Sequence, residues 1–408
     1  VPGLIITKRI TSGGWAVYHR SLGTGKYLSL NETYPTSTDA TFFPEVTSTG
    51  FKPGSDNDVN GSGNTYIAYV FAHNNSDGGF GPNGNADIIK CGSYAASSQP
   101  NFINVGFEPQ WLLIKNSTTN VGDWYIYDSM RGVPTGSGDR EIEANDSAAE
   151  AASSGGGQDW VDFNATGFTL KDNYEGVNQS GKTYIYMAIR RGSLNVPEDA
   201  TKVFALDQLS QTSPSPPAFT SGFAVDTILF RGGLNANGQN PRVFDRLRGN
   251  QELNTNNRNA ETTNNFSYYE FDYSNGVGSN TGTATDLIMY MWKRAPGYFD
   301  VCCYTGTGSN RTVTHNLGVV PEMMWIRNRE TSNESWIVYH KALGATKYAM
   351  LDKDDADLTN NTRFNDTAPT ASVFTVGTDQ STNSPNAHKH IAYLFATVAG
   401  VSKVGSYT

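Results

Sequence analysis

Short phrases of five to eight residues rich in Trp, Tyr, Phe, Ile and Val recur along the chain, parted by clusters of Gly, Asn, Asp, Ser and Pro. That is the signature of strands joined by turns, and about seven such phrases per hundred residues predict two-sheet antiparallel sandwiches. In the phrase Tyr66–Ala72 one alternating face carries Ile67, Tyr69 and Phe71; the corresponding residues are Ile185, Met187 and Ile189, then Ile288, Tyr290 and Trp292, then Ile391, Tyr393 and Phe395. This face reads as the core. The opposite face, with Ala68 and Val70 or Ala392 and Leu394, is smaller but still apolar, so these strands should be covered on both sides, by a loop, a neighbouring repeat or another chain. Helix signals are sparse; the best, Ser147–Ala152, is too short to stand alone.

The phrases come back in the same order. Pro2–Lys8, Trp15–His19, Lys26–Leu30 and Tyr66–Ala72 reappear as Pro321–Arg327, Trp336–His340, Lys347–Leu351 and His390–Ala396. A second copy runs through Pro109–Lys115, Trp124–Asp128 and Tyr184–Ile189, and a diverged third through Val225–Arg231, Pro241–Asp245 and Leu287–Trp292. The anchors Pro2, Pro109, Val225 and Pro321 lie about a hundred residues apart, the mark of an array. The fold expected is all-β, a tandem array of four antiparallel β-sandwich, jelly-roll-like repeats: repeat 1 over 1–85, repeat 2 over 86–196, a diverged repeat 3 over 197–296 and repeat 4 over 297–400. A lead phrase precedes repeats 2 to 4, at Ile89–Tyr94, Lys202–Phe204 and Val301–Tyr304; repeat 1 lacks one, and residues 401–408 carry a spare, Ser402–Tyr407, expected to be a strand. Either the sequence is cut from a longer array, or the spare strand completes repeat 1 of a neighbouring subunit. The chain opens Val1-Pro2-Gly3, so any leader is expected outside it.

Composition narrows the function. Only 17% of residues are charged against a usual 25% or so, and the net charge of −9 argues against nucleic acid or an anionic membrane as principal partner. The apolar runs, such as Ile391–Val401, are too short for a transmembrane helix. Three cysteines, Cys91 and the vicinal Cys302-Cys303, make no disulfide framework and no zinc spacing, and read as small buried hydrophobes.

Four copies provide an internal control for chemistry. The slot of His19 and His340 holds Asp128 and Asp245 in the middle repeats, an exchange no general base tolerates, so it reads as a polar strand end. One slot is basic throughout, Lys8, Lys115, Arg231 and Arg327; it pairs with a carboxylate, caps carbonyls, or contacts an acidic glycan or partner chain. Asp56, Asp58 and Asn60, followed by Gly61, match the front of a calcium loop but lack the closing Glu. The acidic loop around Asp354 is a weaker candidate, and His388 and His390 have no third ligand. Trp15, Trp124, Trp336, Tyr69, Met187, Tyr290 and Tyr393 are the expected repeat core. No catalytic residues and no cofactor other than Ca2+ are expected: GxSxG, the P-loop and HExxH are all missing.

The phrases Pro321–Arg329, Trp336–His340, Tyr66–Ala72 and Lys403–Thr408 resemble an uncharacterised repeat domain of structural proteins of marine tailed bacteriophages. The match is good in repeats 1 and 4, partial in repeat 2 and poor in repeat 3, where Val225 and Pro241 replace the proline and tryptophan. The resemblance implies a non-enzymatic virion component, a tail fibre, capsid fibre or appendage, on the virion surface or otherwise extracellular. Its expected partners are copies of itself as a homo-oligomer, other virion proteins and a host surface glycan. The alternatives are a self-polymerising extracellular filament joined by C-terminal strand exchange and, in last place, a glycan depolymerase.

Overall fold

A computed structural model describes residues 1–120, 122–136, 138–152, 159–209, 216–232, 240–263, 269–279 and 287–407. The chain is all-β and antiparallel, and the described helices are single turns. It divides into two compact units, Val1–Gly192 and Ser193–Thr408.

In the first unit, sheet I runs in the order Ser37–Thr38, Lys26–Ser29, Trp15–His19, Pro2–Arg9, Tyr66–Ala72. Sheet II repeats that order as Ala151–Ala152, Arg140–Glu143, Trp124–Asp128, Pro109–Asn116, Thr183–Arg190, and adds the lead strand Ile89–Ala95 on the edge that sheet I leaves bare. In the second unit, sheet III runs from its lead strand Phe204–Leu209 through Leu287–Trp292, Thr227–Gly232, Arg242–Asp245 and Gln251–Asn254 to Thr262–Thr263. Sheet IV does the same from Phe299–Thr305 through Lys389–Phe395, Met323–Asn328, Ile337–His340 and Lys347–Met350 to Leu358–Thr359.

Each large sheet has a small one across it. Sheet II is covered by Val161–Asn164, Gly167–Leu170 and Asn101–Asn104, enclosing Leu112, Ile114, Tyr127, Phe168 and Tyr184. Sheets III and IV close similarly around Phe219, Ile228 and Met289, and around Ile326, Phe374 and Leu394. Repeat 1 has only the hairpin of Glu45–Val46 and Phe51–Lys52, with Phe42, Phe43 and Val59 filling below Ile5 and Tyr18.

Within each unit the outer faces of the two large sheets pack on each other as a second apolar layer. In the first unit Leu4, Val17 and Leu28 meet Leu113, Trp124, Ile185 and Met187. In the second, Val243 and Leu253 meet Trp336, Ile391 and Tyr393. This reverses the faces expected from alternation: Ile185, Met187, Ile391 and Tyr393 lie in the seam between paired sheets, while Tyr184, Tyr186, Ala188, Ala392 and Leu394 fill the sandwich interior. Both faces are apolar, so composition does not rank them.

The expected core and the spare strand each need a correction. Trp124, Trp336, Met187 and Tyr393 are buried, but Tyr69 is 46% exposed and Tyr290 and Trp15 are only half-buried. The paired sheets are offset, with Trp124 of sheet II seated over Ser29 in the third strand of sheet I, so the last strand of sheet I reaches the seam only at Phe71. Residues 403–407 form no strand; Val398 and Ser402 make an isolated bridge, Val404 is buried and Tyr407 is fully exposed. A strand requires a partner edge, and this segment pairs with none among the described residues. Thr408 lies outside them.

Candidate functional site

The strand-end slot that exchanges His for Asp has one role in all four repeats. His19 Nδ1 accepts from Ser21 N–H at 3.2 Å, Asp128 Oδ1 from Met130 N–H at 2.9 Å, Asp245 Oδ1 from Arg248 N–H at 3.1 Å and His340 Nδ1 from Ala342 N–H at 3.1 Å. An imidazole nitrogen and a carboxylate oxygen both supply the acceptor that the turn needs. With Nδ1 accepting, the His19 proton sits on Nε2 and is donated across the seam to the Tyr186 carbonyl at 3.0 Å. At the same place in the second unit, the Tyr393 hydroxyl donates to Asp245 Oδ2 at 2.7 Å. Burial holds His19 well below the usual imidazole range, at about 4, although the bond to Tyr186 opposes it.

The seams share two more fixtures at equivalent positions. Trp124 Nε1–H donates to the Ser29 carbonyl at 2.9 Å, and Trp336 Nε1–H to the Asn254 carbonyl at 2.8 Å. In register, Ser29 faces Ala16 and Asn254 faces Arg242, corresponding points on sheets I and III. Lys115 Nζ donates to the carbonyls of Thr33 and Gly122, both at 2.8 Å, and Arg327 donates to Glu334 and, at 2.6 Å, to Asn259. Burial pushes Lys115 down to about 8 and Arg327 down to about 10. These two members of the basic slot are buried carbonyl caps and cannot meet a glycan. The first-partner members differ: Lys8 donates to the Gly13 carbonyl at 2.7 Å and lies over Trp15, and Arg231 is exposed.

Repeats 3 and 4 add an ionic cluster that the recurring phrases conceal. Arg248, fully buried, binds Asp245 Oδ2 at 2.6 Å, Glu261 Oε2 at 3.1 Å and the Tyr393 hydroxyl at 3.0 Å, and Glu261 also takes Arg329 at 2.7 Å. Burial raises Glu261, but Arg329 and Arg248 outweigh it and hold the carboxyl below its usual range. Arg246-Leu-Arg248 and Glu261 lie outside the repeated phrases; charge concentrated in a chain this poor in charge was the available signal.

The suspected calcium loop is a strand-end clamp. Asp56 caps the turn Asn57–Asn60 by accepting from Asp58 N–H, Asp58 accepts from Gly14 N–H at 3.1 Å, and the Asn60 amide donates to the Gly54 carbonyl at 2.9 Å. The three side chains serve separate backbone groups rather than converging on an ion, and no group of three or more ligands able to hold a metal occurs among the described residues. The Tyr66 hydroxyl bridges this turn, donating to the Asn57 carbonyl and accepting from Gly61 N–H. Tyr184 does so with Glu175 and Gln179; at the same place His390 donates from Nδ1 to the His388 carbonyl at 2.9 Å and accepts at Nε2 from Ser384 N–H. His390 therefore keeps only the accepting half of the tyrosine's role, and burial holds it at about 4. Cys91 and Cys303 are thiols that burial pushes up to about 12. No described helix is long and apolar enough to cross a membrane.

The chain belongs to the family described as a domain of unknown function, DUF7483, which it matches over residues 1–191 and 294–408. The unmatched span contains most of repeat 3, where Val225 and Pro241 break the pattern. No curated protein and no solved structure matches it.

Proposed function

We propose that this DUF7483 chain is a structural component of a tailed-phage particle, a tail fibre, capsid fibre or appendage at the virion surface, built from four jelly-roll-like sandwiches that present loops to a host surface glycan. One observation carries the reading. The side chains that look most chemical, His19, Lys115, Asp245, Arg327 and the two seam tryptophans, all bond sheet to sheet, and the tryptophan and cationic bonds occupy matching places in both units. Residues spent on architecture in both units suit a protein whose task is shape. The resemblance of Pro321–Arg329 and Tyr66–Ala72 to phage structural repeats supplies the particle, and Asn- and Gly-rich loops supply hydrogen-bonding groups for sugars.

Antibody against the chain, imaged by electron microscopy on particles from a phage that encodes it, should decorate a projecting structure; labelling of soluble lysate alone overturns the proposal. Incubation with host polysaccharide should release no new reducing ends, and their release would replace it with a depolymerase.

A further inference from the structure

Two histidines hold one end of the first seam. His19 closes the strand Trp15–His19 and His73 follows the strand Tyr66–Ala72, and these strands flank Pro2–Arg9 in sheet I. His19 Nε2–H donates to the Tyr186 carbonyl at 3.0 Å, and His73 Nδ1 accepts from Cys91 N–H at 3.2 Å. Both partners belong to sheet II and lie one step apart on neighbouring strands, where Tyr186 pairs with Gly92 and Met187 with Cys91. Gly3 of sheet I fits between His73 and Cys91 so closely that a Cβ there would stand 2.9 Å from the Cβ of each.

Both rings fit their partners only as neutral imidazoles. Each offers a bare Nδ1 to a backbone N–H, that of Ser21 for His19 and that of Cys91 for His73. An imidazolium carries a hydrogen on both nitrogens, so one added proton turns each acceptor into a donor facing a donor. For His73 the bond lost is the one that crosses the seam.

The surrounding charges add repulsion. The titratable and charged groups around the pair are Arg20 on sheet I, Asp77 in the loop after Tyr66–Ala72, and Lys90, Cys91 and Tyr186 on sheet II. Burial pushes the Cys91 thiol and the Tyr186 phenol up to about 12, so both stay neutral in acid. Asp77 is the one carboxylate among these groups, and two protons would gather four positive charges here, with Lys90 on the opposite sheet from the other three. Burial, with Arg20 near both rings, holds each imidazole at about 4. The matching place in the second unit is built otherwise: the Tyr393 hydroxyl and Arg248 both donate to Asp245 Oδ2.

We propose that the seam between sheets I and II is an acid-opened joint: protonation of His19 and His73 parts sheet II from sheet I, while the seam of the second unit stays closed. Opening bares the apolar layer of Leu4, Val17, Ile185 and Met187, a surface fit for an apolar partner. The two sandwiches stay folded, because each keeps its own interior, around Ile5 and Tyr18 in repeat 1 and around Leu112 and Tyr184 in repeat 2. The joint stands apart from the virion assignment.

Full-length chain taken from pH 6.5 to pH 4 tests the joint. A histidine held at about 4 rather than 6.5 favours opening in acid by up to roughly 300-fold. Binding of an apolar fluorescent dye should therefore rise by roughly tenfold or more, reverse on return to neutral pH and leave the far-ultraviolet circular dichroism unchanged. Hydrogen exchange, corrected for its intrinsic pH dependence, should quicken by a similar factor at the Trp124 indole, which donates across this seam, and not at the Trp336 indole, which donates across the other. His19→Asn with His73→Asn keeps two uncharged acceptors and should hold the seam closed at pH 4. If that variant does not fold at neutral pH, Arg20→Gln with Lys90→Gln takes its place, and the loss of both cations should move opening to lower pH. The proposal is overturned if neither the dye nor the Trp124 indole responds between pH 6.5 and pH 4, if the Trp336 indole loses protection to the same degree, or if the folded variant opens at the same pH as the unaltered chain.

Discussion

The two units solve one packing problem with different chemistry. Both seams seat a tryptophan of the second sheet on a backbone carbonyl of the first and bury a cation against loop carbonyls. The remaining polar contact differs. The first seam has a neutral histidine on a carbonyl; the second has a carboxylate bound by a tyrosine and Arg248, extended through Glu261 to Arg329. Stacking geometry is the retained quantity, and side-chain type is free wherever the hydrogen-bond role is met.

The contrast can be broken hardest in the second seam. Arg248→Ala leaves Asp245 and Glu261 buried beside one fewer cation, and removing one member of a buried ionic set costs roughly 3–5 kcal/mol. Denaturant unfolding should show that loss in the Ser193–Thr408 unit, with hydrogen exchange in Val1–Gly192 unchanged.

Next in size is acid sensitivity. The folded-state value of His19 sits near 4, below its ordinary 6.5, so the unfolded chain takes the proton first. The stability it protects is complete above about pH 6.5 and is lost as pH falls toward 4, by on the order of 3 kcal/mol. His19→Asn, which keeps an acceptor for Ser21 N–H, should reduce the pH dependence of unfolding in the first unit, leaving the part due to His73, which burial also holds at about 4. His390 gives the second unit its own acid loss in the same window, so the same substitution should leave that unit's profile unchanged. Lys115 acts at the other end: pushed down to about 8, it makes the first unit gain stability as pH rises from there toward 10.5.

A smaller effect sharpens the shared part. Trp124→Phe and Trp336→Phe each remove one N–H and the cross-seam hydrogen bond it makes, costing about 0.5–1.5 kcal/mol. Similar losses in both units, measured by urea titration, would show that the fixture is equivalent; a twofold difference would show that it is not. Least of all, Lys8→Ala, at a half-buried member of the basic slot outside the seam, should stay within about 0.5 kcal/mol.

How far these features were legible depended on whether a role was local. Strands and their order were legible because each phrase carries its own alternation and returns at fixed spacing. The His/Asp exchange pointed to a polar strand end, and the structure supplies the acceptor role that both side chains fill there. Which face of Tyr66–Ala72 looks inward was not legible, since Ile67 and Val70 are both apolar and the offset of stacked sheets leaves no trace in periodicity. For the same reason Lys115 and Lys8 look alike in sequence, yet one is a fully buried seam cap and the other a half-buried strand-end group. Asp56, Asp58 and Asn60 suggested calcium because short oxygen-bearing side chains serve a metal and a tight turn equally well; only their separate backbone partners distinguish the two.

The alternation of seam roles has a genetic corollary. Sandwiches with a tryptophan lid and a buried cation, the second and fourth, are useful only above a mate that offers the carbonyls, the first or third. Adding one hundred-residue copy would leave a greasy sheet such as Leu4, Val17 and Leu28 open to water, whereas adding two in tandem covers that face. Arrays of this kind should therefore lengthen and shorten by even numbers.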